Sequence, residues 1–255
     1  MSANEEIPEG YIPVLNKGYV GLVDKMGSDL SVTNAARVSF DKESNEFGDK
    51  DARLLSFLQR EGHTSPFRHA TLSFEIYAPL MICRQWLKYV VASSHIEDGL
   101  AHNESSRRYV TEIPEFYIPG AGHWRSAPDS RKQGSGEPIT AYGDQHSNDR
   151  NWMENPEFGE DFTDLLNVYV KQGVELYEKA MENGVCAEQA RLFLPAYGMY
   201  VRWRWTASLG SVMHFLSQRL AHDSQKEIQD YAKAVYKLAH EHFPVCMETI
   251  KKGGD

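Results

Sequence analysis

A chain of 255 residues is long enough to bury one substantial core, and one domain with insertions suits that length better than two small domains. With 36 acidic residues against 27 basic ones, the formal net charge of −9 excludes the broad positive surface of a dedicated DNA or RNA binder, while a local arginine cluster still suffices for a small phosphorylated ligand. Mean hydropathy is −0.52, charge breaks the apolar runs, and residues 1–10 lack a signal peptide's basic start and apolar core; no membrane span is expected, and a cytoplasmic location is.

Val20 to Lys25 predicts a short strand closing at Met26-Gly27-Ser28-Asp29, after which Ser31 takes the N-cap position of a helical segment through Asn34-Ala35-Ala36-Arg37. From Asp51 to Glu61, Leu54, Leu55 and Leu58 fall at helical spacing, and Gly62 ends the run. Thr71 to Tyr77 alternates Leu72, Phe74 and Ile76 with polar residues, the pattern of a half-buried strand. Pro79 then suits the first turn of a helix through Leu87, since its missing N–H would be unpaired there anyway.

Between Pro119 and Glu160, Gly120, Gly122, Gly134, Gly136 and Gly143 mixed with Pro128, Pro138, Pro156 and many Ser and Asp residues forbid a long helix. This stretch reads as an inserted lid, a subunit-spanning arm or a partly disordered loop, with Trp124 and Trp152 as packing points. Beyond it, Leu165, Leu166, Tyr169, Val170, Leu176 and Tyr177 mark the apolar faces of a helix reaching about Glu182. A shorter helix spans Ala187 to Leu194 before Pro195, another carries Leu209, Val212, Met213, Leu216 and Leu220, and a last one carries Ile228, Tyr231, Val235 and Leu238. The expected fold class is α+β, with helices packed beside a mixed, mainly antiparallel sheet in a single domain over residues 1–255.

The densest chemistry lies in His102-Asn103-Glu104-Ser105-Ser106-Arg107-Arg108-Tyr109, which gathers an amide, a carboxylate, hydroxyls and two guanidinium groups. That inventory suits an anionic, hydrogen-bonding ligand such as a nucleotide. Arg84, Gln85 and Lys88 project from the preceding helix, either toward a phosphate or as a solvated helix end. Glu104 either accepts from a base or ribose or neutralises Arg108. A second cluster joins Arg191, Arg202, Arg204 and Arg219 with Tyr197, Tyr200, Trp203 and Trp205, and reads equally as a stacking platform with cations or as a subunit interface. His63 to His69 gathers imidazole and hydroxyl groups in one turn, for which a hydrogen-bonded core histidine is the commoner explanation. Cys83, Cys186 and Cys246 are too widely spaced for a disulfide framework or a zinc knuckle, and they are expected to be buried thiols; no metal is expected. No Gly-x-Ser-x-Gly, Walker A or Gly-x-Gly-x-x-Gly pattern supports serine hydrolysis, a P-loop or a Rossmann mode.

In order along the chain, the sequence contains Leu30-Ser31 with Ala35-Ala36-Arg37-Val38-Ser39-Phe40, then Gly62-His63-Thr64-Ser65-Pro66-Phe67-Arg68-His69, then Ala78-Pro79 with Arg84-Gln85-Trp86. These are followed by Asn103 to Tyr109, Ala190-Arg191 with Leu194-Pro195, and Arg219 with Gln225-Lys226-Glu227-Ile228. Through these matches the chain resembles the flavin-dependent thymidylate synthase family along nearly its whole length, apart from an N-terminal extension over 1–12 and the 119–160 insertion. It departs at the family's Arg-His-Arg signature, where it has Lys88-Tyr89-Val90, followed by fifteen residues (91–105) rather than seven before Ser106-Arg107-Arg108.

The resemblance implies a homotetramer with active sites shared between subunits, FAD as cofactor, and reductive methylation of dUMP to dTMP. NADPH would reduce the flavin, methylenetetrahydrofolate would donate the one-carbon unit, and no cysteine nucleophile would be needed. It assigns the nucleotide to Gln85, Glu104, Ser106, Arg107, Arg108, Arg191 and Arg219, with Arg219 and His63 closest to the chemistry. Flavin contacts fall on Ser39, His63, Ser65, Lys88, Tyr89, Glu104, Ser208 and His214. The altered signature keeps two alternatives in play: C5 modification of UMP or another pyrimidine nucleotide, and a non-catalytic nucleotide-binding protein.

Overall fold

The structure, a computed structural model, describes residues 7–92, 101–105, 113–120, 122–128, 134–139 and 162–250. In chain order its strands and helices are β1 (Ile12–Val14), β2 (Gly18–Met26), α1 (Asp29–Arg37), α2 (Asp49–Arg60), β3 (Thr71–Pro79), α3 (Leu80–Ala92), β4 (Ala101–Glu104), α4 (Phe162–Glu182), α5 (Ala187–Ala190), β5 (Tyr200–Ser208), α6 (Leu209–Arg219), α7 (Lys226–His240) and α8 (Pro244–Glu248). Contacts gather the chain into two compact units: a larger one of Glu6–Ala78, Ile82–Ser105 and Val201–Asp255, and a smaller one of Met1–Glu5, Pro79–Met81 and Ser106–Tyr200.

The larger unit is built on a five-stranded sheet in the order β1-β2-β3-β5-β4. β1 with β2, β2 with β3, and β4 with β5 pair antiparallel. β3 and β5 also run in opposite directions: the Leu209 N–H donates to Ala70 O, the Thr206 hydroxyl to Ser73, and Arg204 meets Glu75, so rising numbers on one strand meet falling numbers on the other. The α+β class with a mainly antiparallel sheet is therefore present.

Alternation decides which face is buried. Leu72, Phe74, Ile76 and Ala78 of β3 and Val201, Trp203, Trp205 and Ala207 of β5 turn inward. Trp86 of α3 anchors this core. Its ring stacks on Phe215 of α6 at 4.2 Å and meets Trp203 and Trp205 edge-on at 5.7 and 5.3 Å. On the opposite face the Arg204 guanidinium donates to Glu75 at 3.0 Å and the Tyr19 hydroxyl donates to the same carboxylate at 3.3 Å. Helix α7 buries Ile228, Tyr231, Ala232, Val235 and Leu238, and the Tyr231 hydroxyl donates to Tyr77 O of β3 at 2.9 Å. That crossing needs Gly18, where a Cβ would lie 1.9 Å from the Tyr231 oxygen and 2.6 Å from Tyr77 O.

Several expectations shift in detail. The N-cap of α1 is Ser28 rather than Ser31, which sits one turn in and accepts from the Ser28 N–H at 3.1 Å. Pro79 ends β3 instead of opening the helix, which starts at Leu80. The helix expected over Ala187 to Leu194 is α-helical only to Ala190 and continues as a 3-10 turn, Arg191–Phe193, before Pro195. The interleaved Arg and Trp residues at 202–205 are a strand, and Trp203 and Trp205 are core residues, which removes them from any stacking platform.

In the smaller unit α4 has the predicted extent, with Gly184 at positive φ just beyond it. Gly173 is buried in α4 because Phe193 O and Pro195 press against it; a Cβ there would lie 2.8 Å from each. Tyr169 and Leu176, expected on an apolar packing face, are 57% and 50% exposed. Trp124 does pack, its ring 5.6 Å from Phe162 and its N–H donating to Thr163 at 3.0 Å, while Trp152 lies outside the described residues.

Candidate nucleotide and cofactor site

Helix α3 runs directly out of the central strand β3, so the sheet fixes where its side chains point. Cys83, Gln85 and Trp86 lie within one turn of it. Trp86 faces the core, Cys83 is also buried, and Gln85 is half-buried at the margin. Two outside elements attach here. The Cys83 thiol donates to the Glu104 carboxylate at 3.9 Å, at the end of β4. The Gln85 side-chain amide donates to the Gln225 side-chain oxygen, on the turn between α6 and α7.

β4 pairs with β5 with His102 opposite Trp205 and Glu104 opposite Trp203, and the Ser105 N–H donates to Arg202 O at 2.8 Å. The dense polar motif thus starts as an edge strand, and Glu104 projects from its last residue with an exposed side chain. Burial, with help from the Glu104 carboxylate, pushes the Cys83 thiol up to about 12, so it stays protonated and acts as a donor. A thiol held in that state is a poor nucleophile. Cys246 is buried as expected, whereas Cys186, also expected to be buried, is exposed.

Arg219 is the last residue of α6, at the negative end of its helix dipole, and is half-buried. Its expected partners from α3 and β4 are therefore gathered in the same unit: Glu104 through Cys83, and Gln85 through Gln225 on the turn after Arg219. Arg191 belongs to the smaller unit, where it is exposed and its Nε donates to Glu188 O at 3.1 Å. Ser106, Arg107 and Arg108 lie outside the described residues. Lys88 and Tyr89 are described only as backbone of α3.

Of the other positions expected to meet a flavin, Ser208 and His214 belong to α6 and its cap, and Ser39 and Ser65 to two 3-10 turns, with His63 just before the second. Ser208 caps α6, its hydroxyl accepting from the Ser211 N–H at 3.2 Å, and it is buried. The neighbouring Leu209 N–H donates to Ala70 O, docking the helix start beside the residue that follows the 3-10 turn Ser65–His69. In that turn Pro66 and Phe67 are buried, while His63, Ser65 and His69 are exposed. His63 is therefore not a core histidine; its ring stacks on Phe57 of α2 at 6.1 Å. His214, on α6, is half-buried, and desolvation lowers its pKa, which favours the neutral imidazole.

Ser39 sits exposed in a 3-10 turn, Val38–Phe40. The loop after that turn is tied down at both ends. Asn34 exchanges two hydrogen bonds with the Ser44 backbone, at 2.8 and 2.9 Å. Asp51, at the start of α2, accepts from Arg37 at 2.6 Å, from the Ser44 hydroxyl at 3.1 Å and from the Gly48 N–H at 2.9 Å.

Sequence reasoning missed the roles of Cys83 and Gln225. Gln225 opens Gln225-Lys226-Glu227-Ile228, a few residues after the end of a predicted helix, and that position in a turn is the available signal. Cys83 gave no signal, because a buried thiol looks the same in sequence whether or not it faces a carboxylate. Among the described residues no group of three or more His, Cys, Asp or Glu is arranged to hold a metal ion.

Comparison with known proteins bears on this arrangement. A family model described as "Thymidylate synthase complementing protein" matches residues 21–245. A flavin-dependent thymidylate synthase of Thermotoga neapolitana is 36% identical over 241 residues, covering 94% of this chain and 94% of that protein. The enzyme of the same description from Thermus thermophilus is 35% identical over 241 residues, covering 94% of this chain and 78% of its own length. Among solved structures, the UMP/dUMP methylase PolB from Streptomyces cacaoi bound with 5-Br dUMP superposes with a TM-score of 0.70 at 26% identity, covering 93% of this chain and 96% of that one. The same methylase bound with 5-Br UMP gives 0.67 at 25% identity, with 93% and 95% covered.

Proposed function

The chain belongs to the flavin-dependent thymidylate synthase family, and from that premise we propose that it methylates dUMP to dTMP with FAD as cofactor and NADPH and methylenetetrahydrofolate as cosubstrates. The observation that carries this reading is the convergence on α3 of the strand end bearing Glu104 and the turn that follows Arg219. Gln85 and Glu104 supply neutral and anionic hydrogen-bonding groups for a sugar and base, and Arg219 supplies a fixed positive charge. Placed at the pyrimidine carbonyls, that charge stabilises electron density as it moves onto the ring oxygen. Ser106, Arg107, Arg108 and Arg191 are assigned to the rest of the nucleotide.

The donor set at the other positions suits FAD. Ser39 and Ser65 present exposed hydroxyls for phosphate oxygens, and the uncharged His214 ring and His63 suit a planar heterocycle. Lys88, Tyr89, Glu104 and Ser208 complete the proposed contacts. FAD held by these residues and reduced by NADPH would supply the hydride that the pyrimidine takes up. The residues of this chain hold the nucleotide in place and keep the Cys83 thiol protonated, so that it takes no covalent part.

A homotetramer with shared sites is part of the proposal, as is a cytoplasmic location. Support for assembly comes from apolar side chains left exposed in the smaller unit, Leu192 and Tyr197 along with Tyr169 and Leu176 of α4. Among the described residues no helix is long and apolar enough to cross a membrane.

The decisive experiment uses purified full-length protein. It should be yellow, and it should convert dUMP to dTMP when given NADPH and methylenetetrahydrofolate. Colourless protein that forms no product overturns the reading. A second reading, action on UMP, is favoured by the similar methylase solved with both 5-Br dUMP and 5-Br UMP, and by Lys88-Tyr89-Val90 in place of the signature. Parallel assays with UMP and dUMP separate the two, and exclusive turnover of dUMP rejects the second.

A further inference from the structure

Gln229, in the second turn of α7, is 7% exposed. Its side-chain nitrogen donates to three backbone carbonyls of the preceding turn: Ala221 at 2.6 Å, Ser224 at 3.1 Å and His222 at 3.2 Å. Carbonyls only accept, so the chemistry of the site fixes which end of the amide faces them, and two hydrogens serve three acceptors. The other end of the amide accepts from the Lys226 ammonium at 3.4 Å. From the opposite side, the Ser224 hydroxyl donates to Gln218 O at 2.8 Å. The turn is thereby closed by one side chain from α7 and by one of its own.

The position of this turn gives the clamp its meaning. It begins one residue after Arg219 and ends on Gln225, the partner of Gln85. Where α6 gives way to α7 the backbone loses its helical acceptors and donors, and such a junction rests on whatever side chains satisfy it. Here a single buried amide reaches three of the carbonyls. We propose that Gln229 is a positioning residue for nucleotide binding, which sets the separation of Arg219 from the Gln225–Gln85 pair. The inference rests on the assignment of Arg219 and Gln85 to a pyrimidine nucleotide. Gln229 touches neither substrate nor cofactor in this scheme and acts entirely through the turn.

Gln229→Met keeps the length of the side chain and removes both donors, so that His222 O and Ser224 O lose the amide while Ala221 O keeps only the Ser224 N–H at 3.1 Å. In the full-length protein with FAD bound, this variant is expected to retain flavin content and to raise the KM for dUMP about tenfold, with kcat changed less. Backbone amides in peptides covering 219–226 should exchange with deuterium faster than in the parent, and a rise in KM with kcat nearly kept is the split that a purely structural defect would not give. Ser224→Ala, which loosens the same turn from its other side, should raise KM about threefold and serves as the test if Gln229→Met does not fold. If the parent protein binds neither dUMP nor UMP by calorimetry, the functional assignment fails. If the parent binds and a folded Gln229→Met variant, or in its absence Ser224→Ala, binds equally tightly, the clamp is wrong and the assignment stands.

Discussion

Arg219 and Asp51 are both charged residues at helix ends, yet one belongs to the proposed chemistry and the other to the scaffold. Arg219→Ala should lower kcat/KM for dUMP on the order of 100-fold while the visible flavin spectrum is unchanged, since the charge acts on the pyrimidine as electron density moves. Arg219→Lys should recover only part of that loss, because an ammonium cannot reproduce a planar fork of donors. For Asp51, burial alone would raise the carboxyl pKa, but the Gly48 N–H, the Ser44 hydroxyl and the Arg37 guanidinium outweigh it and hold the group below its ordinary value. A lowered folded pKa means that the unfolded chain takes up the proton first. The contribution is complete above the unfolded value of about 3.9 and is lost as pH falls through the folded one. Asp51→Asn should therefore cost about 1 kcal/mol at pH 7 and progressively less below about pH 4, as urea unfolding at the two pH values will show. The residues that touch each other across the fold, Cys83 with Glu104 and Gln85 with Gln225, were invisible in sequence because those partners come together only after the sheet and helices have packed.

At the scale of elements, periodicity was readable where one face is apolar and the other polar, and it misled where function and burial draw on the same residue types. Leu72, Phe74 and Ile76 announce β3 without ambiguity. The same alternation in β5 is built from Arg and Trp, residues equally suited to ligand stacking, and its strand character shows only when Trp203 and Trp205 meet Trp86. β4 is four residues long and offered too short a pattern to read at all. Gly18, where β2 passes under α7, gives a direct test of element packing. Gly18→Ala should cost about 1 to 3 kcal/mol, because the added methyl meets the Tyr231 hydroxyl and two backbone oxygens, Tyr77 O and Val14 O. Placed on a Tyr231→Phe background, the same change should recover less than half of that cost, since the backbone oxygens stay. A double-mutant cycle on thermal or urea unfolding measures the difference.

At the scale of the whole molecule, the family was legible from ordered motifs and the α+β class from apolar periodicity, whereas the grouping of the chain into two compact units was not, because it rests on residues far apart in sequence. The proposed assembly predicts that Tyr169→Asp combined with Leu176→Asp, on the exposed side of α4, will shift light-scattering mass toward smaller species while leaving far-ultraviolet dichroism intact. A mass unchanged by the pair would place the subunit contacts elsewhere. The borders of the sheet carry a separate consequence. β1 and β4 offer ladders of only three and four residues, and the stretch of β2 beyond β1 has a register shift between Leu22 and Asp24, followed by exposed Asp24 and Lys25. A foreign strand arriving there would find a kinked backbone and solvated charges where it needs a straight run of free donors and acceptors. Among the described residues, then, the rim of the sheet is poorly suited to template fibrous stacking.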